Sequence, residues 1–428
     1  MAEGTDRRDE WQLRNRPGWV AETNRLGTLI DLKGVVPLDE TSLLDQARRN
    51  TGLDDFGEDG WREHFRVLLR AIEDEARLNL IGRILTRSDF LAYLEARLHM
   101  AEAYKRHPEI ADQAITEPVF ILGMGRSGTT ILHETLSQDP QFRSVRRWEA
   151  WFPWPAPEQA TYETDPRIAK AADRVEFVHS ISPEFRSVHA WGAELPVEDI
   201  EFTYPAFYSE VWPLGFQVPS FERYFNARSP DEHFAFHQRF LKLLQWKFRK
   251  PHWLLKNPTH MPRVATLLKF YPDAKIILPH RDPVTTADSG TNTGGVIYSW
   301  RTDSVYGAEW SPDNAAEWHE AQSRAQMWDD VIALIEGGTL RPGFFANIQY
   351  ADFIRAPLPA LEKVYRDLRL TLAPAVRQRM GDFLEERNRG SHGNKSVYAK
   401  SQAADPRTLE ERRIFKRYQD YFGVPNEI

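Results

Sequence analysis

The chain contains no cysteine among its 428 residues, so disulfides, thiolate metal sites, iron–sulfur clusters and cysteine nucleophiles are all excluded. It also has no run of about 18 apolar residues, so no segment is predicted to cross a membrane as a helix. The N-terminal segment is polar and lacks the apolar stretch of a secretory signal. These absences together predict a cytoplasmic protein.

An excess of basic residues is missing as well. Lysine and arginine number 55 against 62 aspartates and glutamates, which gives a formal net charge of −7 at pH 7 and a pI near 6.0. Proteins that bind nucleic acids through their overall charge are usually basic, so a nucleic-acid partner is not expected. Any anionic ligand must therefore be bound by a local cluster of cations.

Helical periodicity dominates the first quarter of the chain. Between Trp61 and His107 apolar residues recur at intervals of three and four, and Ser88 is predicted to be an N-cap within this stretch. Pro108 ends the pattern. We therefore expect residues 1–115 to form a helical region that packs on the core of the protein.

Short continuous apolar runs of the kind found in buried parallel strands occur further along the chain. They lie at residues 119–122, 253–255, 275–278 and about 344–348. Helical segments alternate with them, which predicts an α/β fold with a P-loop-type parallel sheet flanked by helices. An insertion at about 148–230, between the first two strands, is rich in Trp, Phe, Tyr and Pro.

A glycine-rich loop lies between the first strand and the helix that follows it. It reads Gly123-Met124-Gly125-Arg126-Ser127-Gly128-Thr129-Thr130. Glycines let backbone N–H groups point inward, and the helix N-terminus adds its dipole, so the loop is predicted to bind an anion. In a nucleoside triphosphatase a lysine would stand at position 129, whereas here the cation is Arg126. A cation in the middle of the loop suits a shorter anion that ends in phosphosulfate.

A second anion site is predicted after the third strand, where ligands of α/β proteins collect. Arg281 can bind a phosphate through two parallel hydrogen bonds, and Ser289 lies eight residues further on, in the next predicted helix. Asp282 is expected to orient Arg281 rather than to hold Mg²⁺.

The order of these motifs resembles that of the PAPS-dependent sulfotransferases, particularly the bacterial branch with a GxPRSGTT-type phosphate loop. The segments GMGRSGTT, LLKNPTH and YPDAKIILPHRDPVTTADS carry the resemblance. It implies that residues 116–428 form one sulfotransferase α/β domain with 3′-phosphoadenosine 5′-phosphosulfate (PAPS) as its cofactor. The sulfuryl group would move to a hydroxyl, or less often an amine, of a small acceptor. No metal is expected to be required.

The same resemblance implies which residues bind the cofactor. The 5′-phosphosulfate is expected on Gly125, Arg126, Ser127, Gly128, Thr129 and Thr130. The 3′-phosphate is expected on Arg281 and Ser289, and the adenine on Tyr350. A basic glycine loop near the C-terminus would close over the 3′-phosphate with Arg389, His392 and Lys395.

The catalytic groups follow from the resemblance and from the chemistry of the transfer. Lys256, at the end of the second predicted strand, would contact the bridging oxygen of the leaving group, and Arg126 would stabilise developing charge. The acceptor hydroxyl also needs a base. Glu149 and His260 remain open as candidates, with Glu149 preferred. His133 and His189 are further candidates.

The aromatic insertion is predicted to form the acceptor pocket or a lid. The residues that could enclose an acceptor are Trp148, Trp151, Trp154, Phe207, Tyr208 and Trp212, while Glu194, Glu198 and Asp199 could line the pocket or cap a helix. This composition favours a hydrophobic or aromatic acceptor. Two alternatives stay open, an ATP-dependent P-loop kinase and a non-catalytic nucleotide-binding module. No oligomeric state is predicted.

Overall fold

The computed structural model describes residues 7–58, 60–307, 320–390 and 400–428. The strands are β1 (Val119–Ile121), β2 (Phe142–Arg143), β3 (His252–Lys256), β4 (Lys275–His280) and β5 (Phe345–Gln349). The α-helices, in chain order, are α1 (Gly18–Gly27), α2 (Leu32–Val35), α3 (Glu40–Thr51), α4 (Gly60–Glu75), α5 (Leu80–Arg106), α6 (Thr129–Leu136), α7 (Arg147–Trp151), α8 (Arg167–Ile181), α9 (Phe185–Val188), α10 (Val211–Gly215), α11 (Pro219–Asn226), α12 (Asp231–Gln245), α13 (Val264–Phe270), α14 (Pro283–Ser299), α15 (Ala321–Glu336), α16 (Tyr350–Arg355), α17 (Pro357–Asp367), α18 (Pro374–Gly390), α19 (Pro406–Ile414) and α20 (Lys416–Phe422).

The five strands form one parallel sheet in the order β2-β3-β1-β4-β5. Ile121 at the end of β1 is in register with Lys256 on β3 and Ile277 on β4, so the carboxyl ends of the three strands meet at one edge. This arrangement confirms the predicted α/β fold. Strand β2 was not predicted, because only two of its residues pair.

Both faces of the sheet are covered, which explains why its strands read as continuous apolar runs. Phe120 packs in one core with Leu255 and Ile276. Its neighbours Val119 and Ile121 point to the opposite face and pack in a second core. The two-residue alternation of β1 thus connects two helix layers through the sheet.

The N-terminal region is helical, but its helices begin at different residues from those predicted. Helix α5 runs without interruption through Ser88, so an N-cap there is wrong. Asn79 caps this helix instead, since its side chain accepts a hydrogen bond from the Gly82 N–H at 2.8 Å. Although α5 is 27 residues long, neither it nor any other helix in the described ranges is apolar enough to cross a membrane.

The second half of the aromatic insertion packs against these N-terminal helices. The Phe207 ring lies 4.5 Å from that of Phe65 and 6.0 Å from that of Phe90, and Trp212 lies 5.3 Å from Phe90. All four side chains are buried in one core. Helices α4 and α5 therefore hold the insertion in place over the sheet.

Candidate active site

Each glycine of the loop after β1 has a different structural environment. A Cβ at Gly123 would lie 2.9 Å from the Pro279 carbonyl oxygen, so only glycine lets the loop pass the end of β4 this closely. Gly128 has a φ of +89°, and a Cβ there would meet the Tyr350 ring at 2.7 Å. A Cβ at Gly125 would meet no atom within 4 Å, so the loop encloses open space before α6 begins at Thr129. This shape suits a loop that binds an anion.

Arg126 stands in the middle of this loop with a φ of +70°, a left-handed conformation that costs a residue with a side chain about 1–3 kcal/mol. Its Nε donates to the Ser289 hydroxyl at 2.8 Å, and its Nη1 donates to the Val188 carbonyl at 3.2 Å. Such strained residues cluster at functional sites. The conformation directs the guanidinium toward α14 and the cavity beside it.

Arg281 lies next to the loop, as the order of the strands predicts. Its Nη1 donates to the Arg126 carbonyl at 2.9 Å, and its guanidinium carbon lies 4.1 Å from the centre of the Tyr350 ring. Its other two nitrogens donate to the Glu427 carboxylate, each at 2.9 Å. The structure therefore brings Arg126, Arg281, Ser289 and Tyr350 together, and Arg281 already binds one anionic group through two hydrogen bonds.

Asp282 has a partner that the sequence did not predict. Its carboxylate accepts hydrogen bonds from Arg412 at 2.6 and 2.7 Å and from the Val284 N–H at 2.9 Å. Asp282 thus caps α14 and holds α19 against the end of the sheet. The sequence had instead predicted that Asp282 orients Arg281.

The predicted C-terminal basic loop lies mostly outside the described residues. His392 and Lys395 fall there. Arg389 is described near the end of α18, where its side chain is 77% exposed and lies 3.6 Å from the Glu385 carboxylate on the same helix.

Lys256 is buried at the end of β3, beside the loop. Its ammonium group donates to the Glu198 carboxylate, and its backbone N–H donates to Asp199 Oδ1 at 3.1 Å. Burial would raise the pKa of Glu198, but its interactions with the Lys256 ammonium and with His189 together hold this pKa below its ordinary value. Glu198 is therefore a carboxylate paired with the predicted catalytic lysine.

Glu149 has a different setting. It is fully buried at the start of α7 and accepts hydrogen bonds from Arg143 Nη2 at 2.6 Å, the Tyr162 hydroxyl at 2.6 Å and the Arg146 N–H at 3.0 Å. These contacts form a buried ion pair and a helix cap. Glu149 does not line the cavity beside the loop.

His260 is also fully buried, in a 3-10 turn (Pro258–Arg263) directly after β3. Its ring nitrogens lie 3.5 Å from Asp199 Oδ2 and 3.4 Å from Glu210 Oε1. His133 is buried in α6, and burial lowers its pKa to about 3. Neither histidine lines the cavity.

A cavity of about 1230 Å³ opens beside the loop, and Gly125, Arg126, Thr129 and Thr130 form part of its wall. Glu198 and His189 also face it. Burial, aided by the charge of Lys256, lowers the pKa of His189 to about 3, so its imidazole is neutral near pH 7.

Aromatic side chains line much of this cavity. They are Tyr93, Trp151, Phe177, Phe185, Trp191, Tyr204, Tyr298, Trp300 and Trp328. Trp151 is the one member of the predicted aromatic set among them. Trp148, Phe207, Tyr208 and Trp212 pack inside the protein, because they lie on the face of the insertion that meets neighbouring helices. The local sequence does not tell these two faces apart.

The chain is similar to known proteins. The profile of the sulfotransferase family matches residues 118–374. Omega-hydroxy-beta-dihydromenaquinone-9 sulfotransferase Stf3, from Mycobacterium bovis and from Mycobacterium tuberculosis, is 24% identical over 314 residues, which cover 69% of this chain and 75% of the relative.

Two solved structures share the fold. Sulfotransferase STF1 from Mycobacterium tuberculosis H37Rv superimposes with a TM-score of 0.71 at 26% identity, over 88% of this chain and 98% of that one. Sulfotransferase STF9 from Mycobacterium avium gives a TM-score of 0.75 at 24% identity, over 91% and 97%. The chain therefore belongs to the sulfotransferase family and is a sulfuryl-transferring enzyme, for which the family implies PAPS as the donor.

Proposed function

We propose that this enzyme transfers the sulfuryl group of PAPS to the hydroxyl of a hydrophobic acceptor bound in the aromatic cavity. One observation carries the proposal. The anion-binding loop with Arg126, and the carboxylate of Glu198 with Lys256 behind it, meet at the wall of a single large cavity. A donor, an acceptor and the groups that act on both would therefore share one space.

The donor would be held at two anionic ends. The loop N–H groups, Arg126 and the α6 N-terminus suit the phosphosulfate. The guanidinium of Arg281, which now binds the Glu427 carboxylate through two hydrogen bonds, suits the 3′-phosphate, with Ser289 nearby. Tyr350 lies close enough to Arg281 and to the loop to contact the adenine. PAPS would displace Glu427 from Arg281 when it binds.

The transfer itself is an in-line displacement at sulfur. The acceptor oxygen forms a bond to sulfur as the bond from sulfur to the bridging oxygen of the donor breaks. Glu198 takes the proton of the acceptor hydroxyl. The Lys256 ammonium moves from Glu198 to the bridging oxygen and stabilises the negative charge of the leaving phosphate.

Glu198 replaces Glu149 and His260 as the base in this proposal because of its position. It faces the cavity and contacts Lys256, whereas the other two side chains are enclosed by protein. His189 also faces the cavity, but Glu198 is the residue that contacts Lys256, so His189 is the second candidate.

The acceptor class follows from the cavity. Its wall is mostly apolar and includes nine aromatic side chains. Its volume exceeds the roughly 300–1,000 Å³ of pockets that bind one drug-sized ligand, which leaves room for an acceptor beside the donor. The name of the Stf3 relative, which specifies an omega-hydroxylated dihydromenaquinone, supports a terminal hydroxyl on a large apolar molecule.

We expect the rate of transfer to rise with the apolar length of the acceptor. Burying one methylene is worth about 0.8 kcal/mol, so kcat/KM should increase about fourfold for each carbon added to a primary alcohol until the cavity is full. The measurement is sulfate transfer from labelled PAPS to a series of linear alcohols, with glucose as the polar comparison.

Trp191 offers a matched test of the same idea. Its ring lies 5.4 Å from that of Trp151 and 5.6 Å from that of Trp300, within the cavity wall. Trp191→Ala should reduce the preference for long alcohols, while Trp246→Ala, at a ring 4.5 Å from that of His107 and outside the cavity wall, should not. A flat response to chain length, or a preference for glucose, would contradict the hydrophobic acceptor.

A further inference from the structure

A cluster of histidines and carboxylates lies behind Lys256 that the transfer mechanism does not use. Asp199, His237 and His260 are each fully buried and come from three segments, the 3-10 turn Asp199–Phe202, helix α12 and the 3-10 turn after β3. Asp199 Oδ2 lies 3.4 Å from His237 Nε2 and 3.5 Å from His260 Nε2. The three ligand atoms all lie within 4.8 Å of one another.

These separations are long for a hydrogen bond to a charged group, which is about 2.7–2.9 Å. They are close to the spacing of about 3.3–3.5 Å between ligand atoms around a tetrahedral Zn²⁺ with bonds of about 2.0–2.2 Å. Asp199 Oδ2 and His237 Nε2 also have no hydrogen-bond partner within the described residues. Two buried polar atoms left in this way are costly, and an ion between them would satisfy both.

The other polar atom of each residue is already oriented by a neighbour. Asp199 Oδ1 accepts from the Lys256 N–H, and His237 Nδ1 lies 2.6 Å from the Tyr271 hydroxyl. His260 Nδ1 lies 3.4 Å from Glu210 Oε1. Histidines that bind metals commonly donate their second ring N–H to a carboxylate or another acceptor in this way.

One contact competes for His260. The amide nitrogen of Asn257 lies 3.2 Å from Nδ1 and 3.3 Å from Nε2, within hydrogen-bond distance of both ring nitrogens. Metal binding at Nε2 requires the amide to give up its contact with that nitrogen.

The charges of the cluster point to the same ligand. Asp199 and Glu210 bring two carboxylates into the protein interior, where unpaired charges are very costly. A divalent cation bound by Asp199 would add positive charge beside both of them.

We propose that Asp199, His237 and His260 bind one Zn²⁺ ion behind Lys256. The fourth position would be taken by water, as in other zinc sites with three protein ligands. The ion would join the turn that carries Glu198 to the end of β3 that carries Lys256, and so fix both side chains. It takes no part in sulfuryl transfer, for which no metal is expected.

A neighbouring set of residues provides the matched control. Glu210, His233 and His260 also lie close together, but His233 Nδ1 is 3.3 Å from the Tyr208 carbonyl and 3.6 Å from Glu210 Oε2. Its Nδ1 is thus already used by the backbone. His237→Gln should remove the metal, and His233→Gln should leave it bound.

The test is the metal content of the full-length protein, purified without an immobilised-metal column. We expect about one zinc per chain by mass spectrometry, loss of zinc with a strong chelator, a fall of several degrees in Tm on removal, and recovery of Tm when Zn²⁺ is returned. Co²⁺ in place of zinc should give the visible absorption of a tetrahedral site, which tests the wild type even if His237→Gln fails to fold.

Three results would overturn the proposal. One is a wild type that takes up no zinc or cobalt after incubation with either ion and keeps the same Tm with and without chelator. The second is metal retained by a folded His237→Gln protein. The third is loss of metal from a folded His233→Gln protein, which would assign the ion to the neighbouring set. None of these readouts depends on sulfuryl transfer, so failure here leaves the proposed function standing.

Discussion

Glu198→Gln lowers kcat for sulfuryl transfer by about 100- to 10,000-fold, the range expected when a general base is lost. The amide keeps the shape of the side chain and can still accept a hydrogen bond from Lys256, but it cannot take the acceptor proton. Binding of PAPS should change little. Initial rates with labelled PAPS, together with calorimetric binding of 3′-phosphoadenosine 5′-phosphate (PAP), separate the two effects.

Glu149→Gln is the matched control, because it makes the same change at the carboxylate that the sequence favoured. Removal of the Glu149 charge leaves Arg143 buried without a charged partner, which should lower the free energy of unfolding by about 3–5 kcal/mol. The kcat of the folded fraction should stay near that of the wild type. If Glu149→Gln instead abolishes turnover in a stable protein and Glu198→Gln turns over normally, Glu149 is the base.

Lys256→Met lowers kcat by about 100- to 1,000-fold, as removal of one preorganised group that stabilises developing charge typically does. The methionine fills the buried space of the lysine stem but offers no cation to the bridging oxygen. PAP should bind with nearly unchanged affinity, since the phosphates are proposed to bind to the loop and Arg281. Steady-state rates and calorimetry on the same preparation give both quantities.

Two further variants separate charge from packing at this position. Lys250→Met removes a lysine just before β3 that bonds the Phe142 carbonyl, and it should leave kcat close to the wild-type value. The double variant Lys256→Met/Glu198→Gln removes the unpaired carboxylate and should recover stability without recovering activity. Activity that returns with stability would mean that Lys256 has only a structural role.

The sequence predicts best those features that depend on neighbouring residues. The loop from Gly123 to Thr130 could be identified because its glycines, the preceding strand and the following helix are contiguous. Four of the five strands were predicted within about two residues of their observed ends, since burial on both faces leaves an apolar run. Strand β2 is too short to leave one.

Contacts between distant segments could not be predicted in the same way. Glu198 meets Lys256 across 58 residues of sequence, and its position in the insertion gave no local signal that it faces the cavity. Glu149 carried a stronger signal, a glutamate among arginines after the phosphate-loop helix, yet that pattern also encodes the buried ion pair with Arg143. Only the packing of the insertion distinguishes the two carboxylates.

The proposed metal site shows the same limit. Its ligands come from two turns and one helix, and the spacing between Asp199, His237 and His260 matches no short metal-binding pattern. From the sequence, His260 was predicted only as a general base, because it follows Lys256 closely. Its burial between two carboxylates is a property of the fold.

We propose that this site recognises a nucleotide with both a 5′- and a 3′-anionic group, and calorimetry measures this recognition directly. PAP, AMP and ATP with Mg²⁺ are titrated into the wild type, Arg281→Ala and the surface control Arg355→Ala. We predict that PAP binds the wild type and the control about 10- to 150-fold more tightly than AMP, as a charge-assisted contact of about 1.5–3 kcal/mol requires, and that Arg281→Ala removes most of this difference. Tighter binding of ATP with Mg²⁺, or equal affinity for PAP and AMP, would contradict the account.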